Sequence, residues 1–116
     1  HRQHPLRQLA ETVRIERVFQ EELVMIGFKK PSLVFYTQNP VQYFQYPSDA
    51  VDYLRTPRIQ KTQPDTILIL AAPQEILKTG LQVPQYQQLD QEGIYQLIRV
   101  SKLSLFSRDR NQLPRY

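Results

Sequence analysis

The sequence predicts an α/β domain: a small two- or three-layer structure around a mostly parallel sheet of about four to five strands. It is Rossmann-like without a nucleotide fingerprint, and its last strands form an antiparallel hairpin. Three observations lead there. Helix-period and strand-like segments alternate along the chain, which favours strands joined by helical crossovers. The run TILILA from Thr66 to Ala71 is apolar on both faces and β-branched, as in a strand covered on both sides at the centre of a sheet. Near the C-terminus, Tyr86 to Leu89 and Ile94 to Val100 flank Asp90-Gln91-Glu92-Gly93, a tight turn with glycine where a positive φ is needed.

The elements follow in order. Leu6, Leu9, Ala10 and Val13 fall at i, i+3, i+4 and i+7 with polar residues between them, which makes an amphipathic helix. Pro5 suits its first position, where the missing N–H costs nothing. The period blurs after Arg17, so the helix is expected to end before Glu21. Glu22 to Ile26 is a short apolar run closed by Gly27, suited to a buried strand. Ser32 to Tyr36 fits either another strand or a short helix after the Lys-Lys-Pro turn, and the helix is favoured because a parallel neighbour requires a crossover. Gln42 to Tyr46 alternates between two prolines and reads as an edge strand.

Pro47-Ser48-Asp49 has the chemistry of a helix start, and Ala50, Val51, Tyr53 and Leu54 continue at helical spacing to about Arg55. Pro57 is expected to stop or kink that helix, leaving Arg58 to Asp65 as a loop or loose final turn. After TILILA, Pro73-Gln74-Glu75 opens a short helix through Lys78, and Gly80 ends it in the manner of a left-handed cap. In the last strand Tyr95, Leu97 and Arg99 share one face, with Ile94, Ile98 and Val100 mixed across the other. Residues 1–102 form the expected domain and 103–116 a basic tail, with Arg99, Lys102, Arg108, Arg110 and Arg115 gathered near the end.

Composition narrows the chemistry. At 116 residues and 41% hydrophobic content, the chain is the size of one domain with one modest core. Its longest apolar run, Ile67 to Pro73, is far shorter than the roughly 20 residues that span a bilayer. The chain starts at His1 with no signal-like segment, so it is expected to be part of a longer protein, with any membrane anchor upstream. There is no cysteine, which removes disulfides, thiolate chemistry and cysteine-based zinc sites. The two histidines, His1 and His4, stand in the N-terminal tail without further ligands around them, so no metal site is expected. Fifteen basic against eleven acidic residues give a net charge of +4, an excess common on ordinary surfaces that does not by itself imply nucleic acid. The sixteen glutamines are dispersed and form no low-complexity tract.

No constellation carries catalysis. A dinucleotide site needs glycines after the first strand so that backbone N–H groups can approach a pyrophosphate. Here Lys29, Lys30 and Pro31 stand in their place, and no phosphate-cradling P-loop occurs. The carboxylate pairs Glu21 and Glu22, Asp49 and Asp52, and Asp90 and Glu92 read as structural. They are respectively strand neighbours pointing apart, acids in a helix's first turn, and turn residues. The five serines have no positioned histidine as base. Phe35, Tyr36, Tyr43, Phe44, Tyr46 and Tyr53 are dense enough to serve a core or a sugar-facing surface. Cations are not interleaved with them as a single-stranded nucleic-acid platform requires. No cofactor and no nucleic-acid partner is expected.

The run from Gly27 to Val41, GFKKPSLVFYTQNPV, carries a resemblance. Preceded by ELVMI and followed at a distance by TILILAA and GIYQLIRV, it resembles the C-terminal region of bacterial membrane glycosyltransferases of the dolichyl-phosphate-mannose-protein mannosyltransferase-like group, including the aminoarabinose-transferase-like enzymes. The likeness covers about Leu6 to Lys102. It implies a parent glycosyltransferase that moves a sugar from a polyprenyl-phosphate carrier to a protein or lipid acceptor. The family's catalytic carboxylate lies in an early loop of its transmembrane part, and no residue here corresponds to it. The resemblance thus implies a non-catalytic domain on the periplasmic side of the bacterial inner membrane, whose partner is the transmembrane catalytic part of the same chain. Lipid-linked donor or acceptor headgroups would be further partners, with Lys29, Lys30 and Tyr36 as the candidate binding residues. The alternatives are a free-standing small-ligand or protein-binding module, using the carboxyl ends of the parallel strands around Gly27 to Lys30 and Ala71 to Pro73, and a cytoplasmic regulatory domain.

Overall fold

The structure, a computed structural model, describes residues 6–28 and 40–105. Its elements are helix α1 (Arg7–Glu16), strands β1 (Leu23–Ile26) and β2 (Val41–Phe44), helices α2 (Pro47–Leu54) and α3 (Pro57–Lys61), strand β3 (Thr66–Ala71), helix α4 (Pro73–Lys78), and strands β4 (Tyr86–Glu92) and β5 (Tyr95–Ser101). The five strands form one sheet in the order β2-β1-β3-β5-β4. As expected, TILILA takes the centre and β2 an edge. Residues 102–105 turn helical again after β5.

Period-two alternation divides the core into two. On one face Leu23, Met25, Leu68, Leu70 and Leu97 pack against Leu6, Leu9 and Val13 of the α1 segment. On the other, Val24, Ile26, Ile67, Ile69, Ala71, Ile98 and Val100 meet Ala50 and Leu54 of α2, Ile59 of α3 and Ile76 of α4. Helices therefore cover both faces, and the domain has three layers. Leu105 is also buried in the second cluster, so the core extends past β5. No helix among the described residues is long and apolar enough to cross a membrane.

Three sequence expectations need correction. The sheet is mixed rather than mostly parallel: β1 pairs in parallel with β2 and β3, whereas β5 pairs antiparallel with both β3 and β4. The reason is the hairpin. Its second strand, not its first, docks beside β3, so both of its ladders are antiparallel. The hairpin turn is also shorter than predicted, because β4 continues through Glu92 and only Gly93-Ile94 remain between the strands. Gly93 has φ 62°, which suits the two-residue hairpin connection. Finally, Pro57 does not leave a loop behind it; it opens α3 as a first-turn proline, the position where a missing N–H is harmless. Helix α1 starts at Arg7, two residues after the start expected at Pro5; Pro5 itself and the short helix expected at Ser32 to Tyr36 lie outside the described residues.

Candidate functional site

The three residues singled out for binding, Lys29, Lys30 and Tyr36, lie outside the described residues, as do Phe35 and the tail beyond Leu105. The approach to them is described. Gly27 N and Phe28 N both donate to Phe44 O, at 2.8 and 3.3 Å, and Gly27 adopts φ 93°, a conformation that L side chains rarely take. Phe28 then packs on Tyr95 with ring centroids 5.2 Å apart. Of the remaining aromatic set, Tyr43, Phe44 and Tyr53 pack against the two core clusters. Tyr46 is exposed.

The three acidic pairs resolve differently. Glu21 and Glu22 stand just before β1 and not within it, but their side chains still take partners on opposite sides of the sheet. Glu21 is fully buried: its Oε1 accepts from Arg99 Nη2 at 2.9 Å and Val18 N at 3.0 Å, and its Oε2 from Arg99 Nε at 3.0 Å and the Thr66 hydroxyl at 2.5 Å. Burial pushes the Glu21 carboxyl upward, but these hydrogen bonds outweigh it and hold the group below the ordinary carboxylate range. Arg99 Nη2 also donates to Glu16 O at 2.7 Å, so one guanidinium fastens the end of α1 to β5. Glu22 instead accepts a hydrogen bond from the Tyr53 hydroxyl. Burial and that carboxylate raise the Tyr53 phenol well above its usual value.

Asp90 and Glu92 are not turn residues. Both stand in β4 and hold α1 onto the sheet. Asp90 accepts from Thr12 Oγ1 at 2.5 Å and Gln8 Nε2 at 3.0 Å, while Glu92 Oε1 accepts from the backbone N–H of Leu9 at 3.0 Å. The residue before α1, Leu6, has no capping side chain, so Glu92 satisfies from a distant strand a donor that a local cap normally takes. Asp49 lies in the first turn of α2, as expected, but Asp52 stands a turn further on, so the two do not share that turn.

Among the described residues a cleft of about 480 Å³ opens beside the amino ends of β1 and β3, lined by Phe19, Gln20, Glu22, Pro40, Thr62, Gln63 and Lys102. This is opposite the carboxyl-end crevice that the alternative binding-module reading anticipated. Its walls are start-of-ladder backbone: Glu22 O accepts from Leu68 N at 2.9 Å, and Pro40 O from Leu23 N at 3.2 Å. Arg17 ties the Pro40 wall to the residue before Glu22, donating from Nη2 to Pro40 O at 2.6 Å and from Nε to Glu21 O at 2.9 Å. Lys102, expected at the edge of a solvated basic tail, is only 6% exposed. Its ammonium donates to Thr62 O and Thr62 Oγ1, both at 2.9 Å. Burial lowers the Lys102 pKa, against the pull of Glu22, Asp65 and Glu21.

Sequence reasoning missed this cleft because its residues come from four separate stretches of the chain. One local signal was available: Phe19, 81% exposed, is an aromatic placed where the helical period of α1 has already ended. The described residues include no group of three histidine, cysteine, aspartate or glutamate side chains placed to hold a metal.

These features define a three-layer α/β domain with a mixed sheet, a rigidly braced helix and a polar cleft bearing one carboxylate and one ammonium. Over residues 16–115 the chain matches the family described as the C-terminal domain of cyanobacterial RgtA-type glycosyltransferases, and it belongs to that family. It is the C-terminal domain of a membrane glycosyltransferase family. No curated protein and no solved structure matches the chain.

Proposed function

We propose that this domain is a non-catalytic accessory part of its glycosyltransferase, folded on the extracytoplasmic (periplasmic) side of the membrane and packed over the transmembrane catalytic part. There it positions the acceptor or the lipid-linked donor. The observation that supports this reading is the family match across residues 16–115, which spans nearly every element of a domain with its own two-sided core. On the likeness to mannosyltransferase-like and aminoarabinose-transferase-like enzymes, the donor is a polyprenyl-phosphate-linked sugar. Lys29 and Lys30 are cations suited to its phosphate, and Tyr36 offers a ring and a hydroxyl to its sugar.

The test is made on the full-length enzyme. Removing residues 1–116 is expected to raise the KM for acceptor while a membrane part that remains folded still transfers sugar. Complete loss of chemistry from a folded truncated enzyme would place catalytic groups in this domain and refute the reading. Separately, Lys29→Ala and Lys30→Ala are expected to weaken carrier binding. Unchanged turnover and carrier affinity would remove both residues from the proposal.

A further inference from the structure

The geometry points to the cleft beside the amino ends of β1 and β3 as a binding subsite for a neutral saccharide, with Phe19 as its stacking platform and Glu22, Gln20 and Gln63 as its hydroxyl-reading groups. The inference deepens the accessory reading above and rests on it: the saccharide is the acceptor's sugar, held away from the carrier phosphate.

Four observations carry it. The cleft's 480 Å³ falls within the roughly 300–1,000 Å³ typical of small-molecule sites. Its aromatic rim is presented, not adrift. Phe19 sits in a turn closed by Glu21 N to Val18 O at 2.9 Å and by Val18 N to Glu21 Oε1 at 3.0 Å, with Gln20 at φ 66°. A large exposed ring on so fixed a turn is the kind of apolar exposure that marks a contact surface, and an aromatic face suits the C–H face of a pyranose.

The polar lining matches hydroxyls. A carboxylate accepts, and each glutamine amide both donates and accepts. Tyr53 engages Oε1 of Glu22, which fixes that carboxylate while its second oxygen keeps lone pairs for a ligand hydroxyl. The charge is balanced, with Glu22 set against Lys102 on the lining. With an ammonium and a carboxylate both on the lining, the cleft carries no net positive charge that would select an anionic occupant over a neutral one.

The experiment follows the backbone and glutamine side-chain amides of the 116-residue chain by NMR. It is titrated with the methyl glycosides of mannose, galactose, glucose and N-acetylglucosamine, and in a parallel arm with glycerol 3-phosphate. The expected result is saturable shifts for at least one glycoside at Phe19, Gln20, Gln63 and Lys102, with the β4–β5 hairpin unmoved. Phe19→Ala and Gln63→Ala change exposed side chains, and Phe19→Ala is expected to weaken binding by about tenfold, the scale of a well-placed aromatic contact. Shifts with glycerol 3-phosphate alone would overturn the proposal in favour of a headgroup site. No saturable shift with any glycoside, or equal affinity after Phe19→Ala, would overturn it too, the latter leaving Phe19 as a contact for an apolar partner surface. Either failure leaves the truncation test of the accessory role standing, so the two readings fail separately.

Discussion

Replacing Arg99 with methionine keeps the length of the side chain's stem and removes its charge from the most enclosed ion pair described in the domain. In the native protein the Arg99 side chain is one-fifth exposed and Glu21 is sealed from water, with 2.9 Å between Arg99 Nη2 and Glu21 Oε1. Without the guanidinium, Glu21 retains only the Thr66 hydroxyl and the Val18 N–H. Breaking a buried pair by removing one partner costs about 3–5 kcal/mol, because a charge is left uncompensated. Since Arg99 keeps some access to water, the lower end is the expectation. At about 4 °C per kcal/mol for a domain of this size, a loss of about 3 kcal/mol lowers Tm by about 12 °C.

The pH dependence sharpens the test. In the native protein the Glu21 pKa is depressed, so its contribution is present above the unfolded value and is lost as pH falls through the folded one. In Arg99→Met, burial dominates and raises the folded pKa, so the sign reverses. Stability is then retained while Glu21 is protonated and falls as pH rises above the unfolded value of about 4.3. Denaturant unfolding at neutral pH and near pH 4 should therefore show a smaller mutational loss in acid. A loss below about 1 kcal/mol at neutral pH, the scale of an exposed pair, would refute the account. So would a loss that is the same at both pH values.

Glu92→Ala removes the acceptor for Leu9 N and should cost about 1 kcal/mol, as helix-cap deletions do, with amide exchange accelerating in the first turn of α1 and not in β3. Glu21→Gln places an amide donor among donors and should destabilise the domain by about 3 kcal/mol, whereas Glu22→Gln keeps an acceptor for Tyr53 and should cost less than about 1 kcal/mol. In Glu22→Gln the Tyr53 phenol, raised in the native protein by burial and by the carboxylate, should titrate at lower pH, read from tyrosinate absorbance. Because the sequence has no cysteine, Ser48→Cys, at an exposed position of α2, introduces a single thiol in the domain. Its labelling by a membrane-impermeant maleimide in intact cells expressing the full-length enzyme is expected from the periplasmic placement, and labelling only after lysis would count against it.

The parts legible in the sequence are those whose partners lie within one element. Leu9 and Val13 declare a helix because its period places them on one stripe, and TILILA declares a central strand because both faces are apolar. The errors share a cause. Asp90 and Glu92 look like turn residues because acids favour turns, yet they stand in β4, and the partners that explain them, Thr12 and the Leu9 N–H, lie 78 and 83 residues away in sequence. Pro57 looks like a terminator because proline ends a helix, but it also begins one, and composition does not distinguish the two. Lys102, the last residue of the expected domain, groups with the basic tail in the sequence because its acceptor, Thr62, is forty residues upstream. The cleft is the extreme case: no local window contains Phe19, Pro40, Gln63 and Lys102 together.

The adjacent pair Glu21 and Glu22 links scaffold to cleft. They are chemically alike and one residue apart, and their side chains take partners on opposite sides of the sheet. Glu21 is spent on the fold: through Arg99, Thr66 and Val18 it ties the end of α1 to β3 and β5. Its backbone carbonyl takes Arg17, whose other arm holds Pro40 O. Glu22 meets Tyr53 on the far face and lines the cleft. Two consequences follow from this division. The turn that presents Phe19 is held by the buried ion pair, so loosening Glu21 should blur the cleft even though Glu21 does not line it. Conversely, changes confined to Glu22 leave the brace intact, which makes that position the place to alter what the cleft binds without unfolding the domain that carries it.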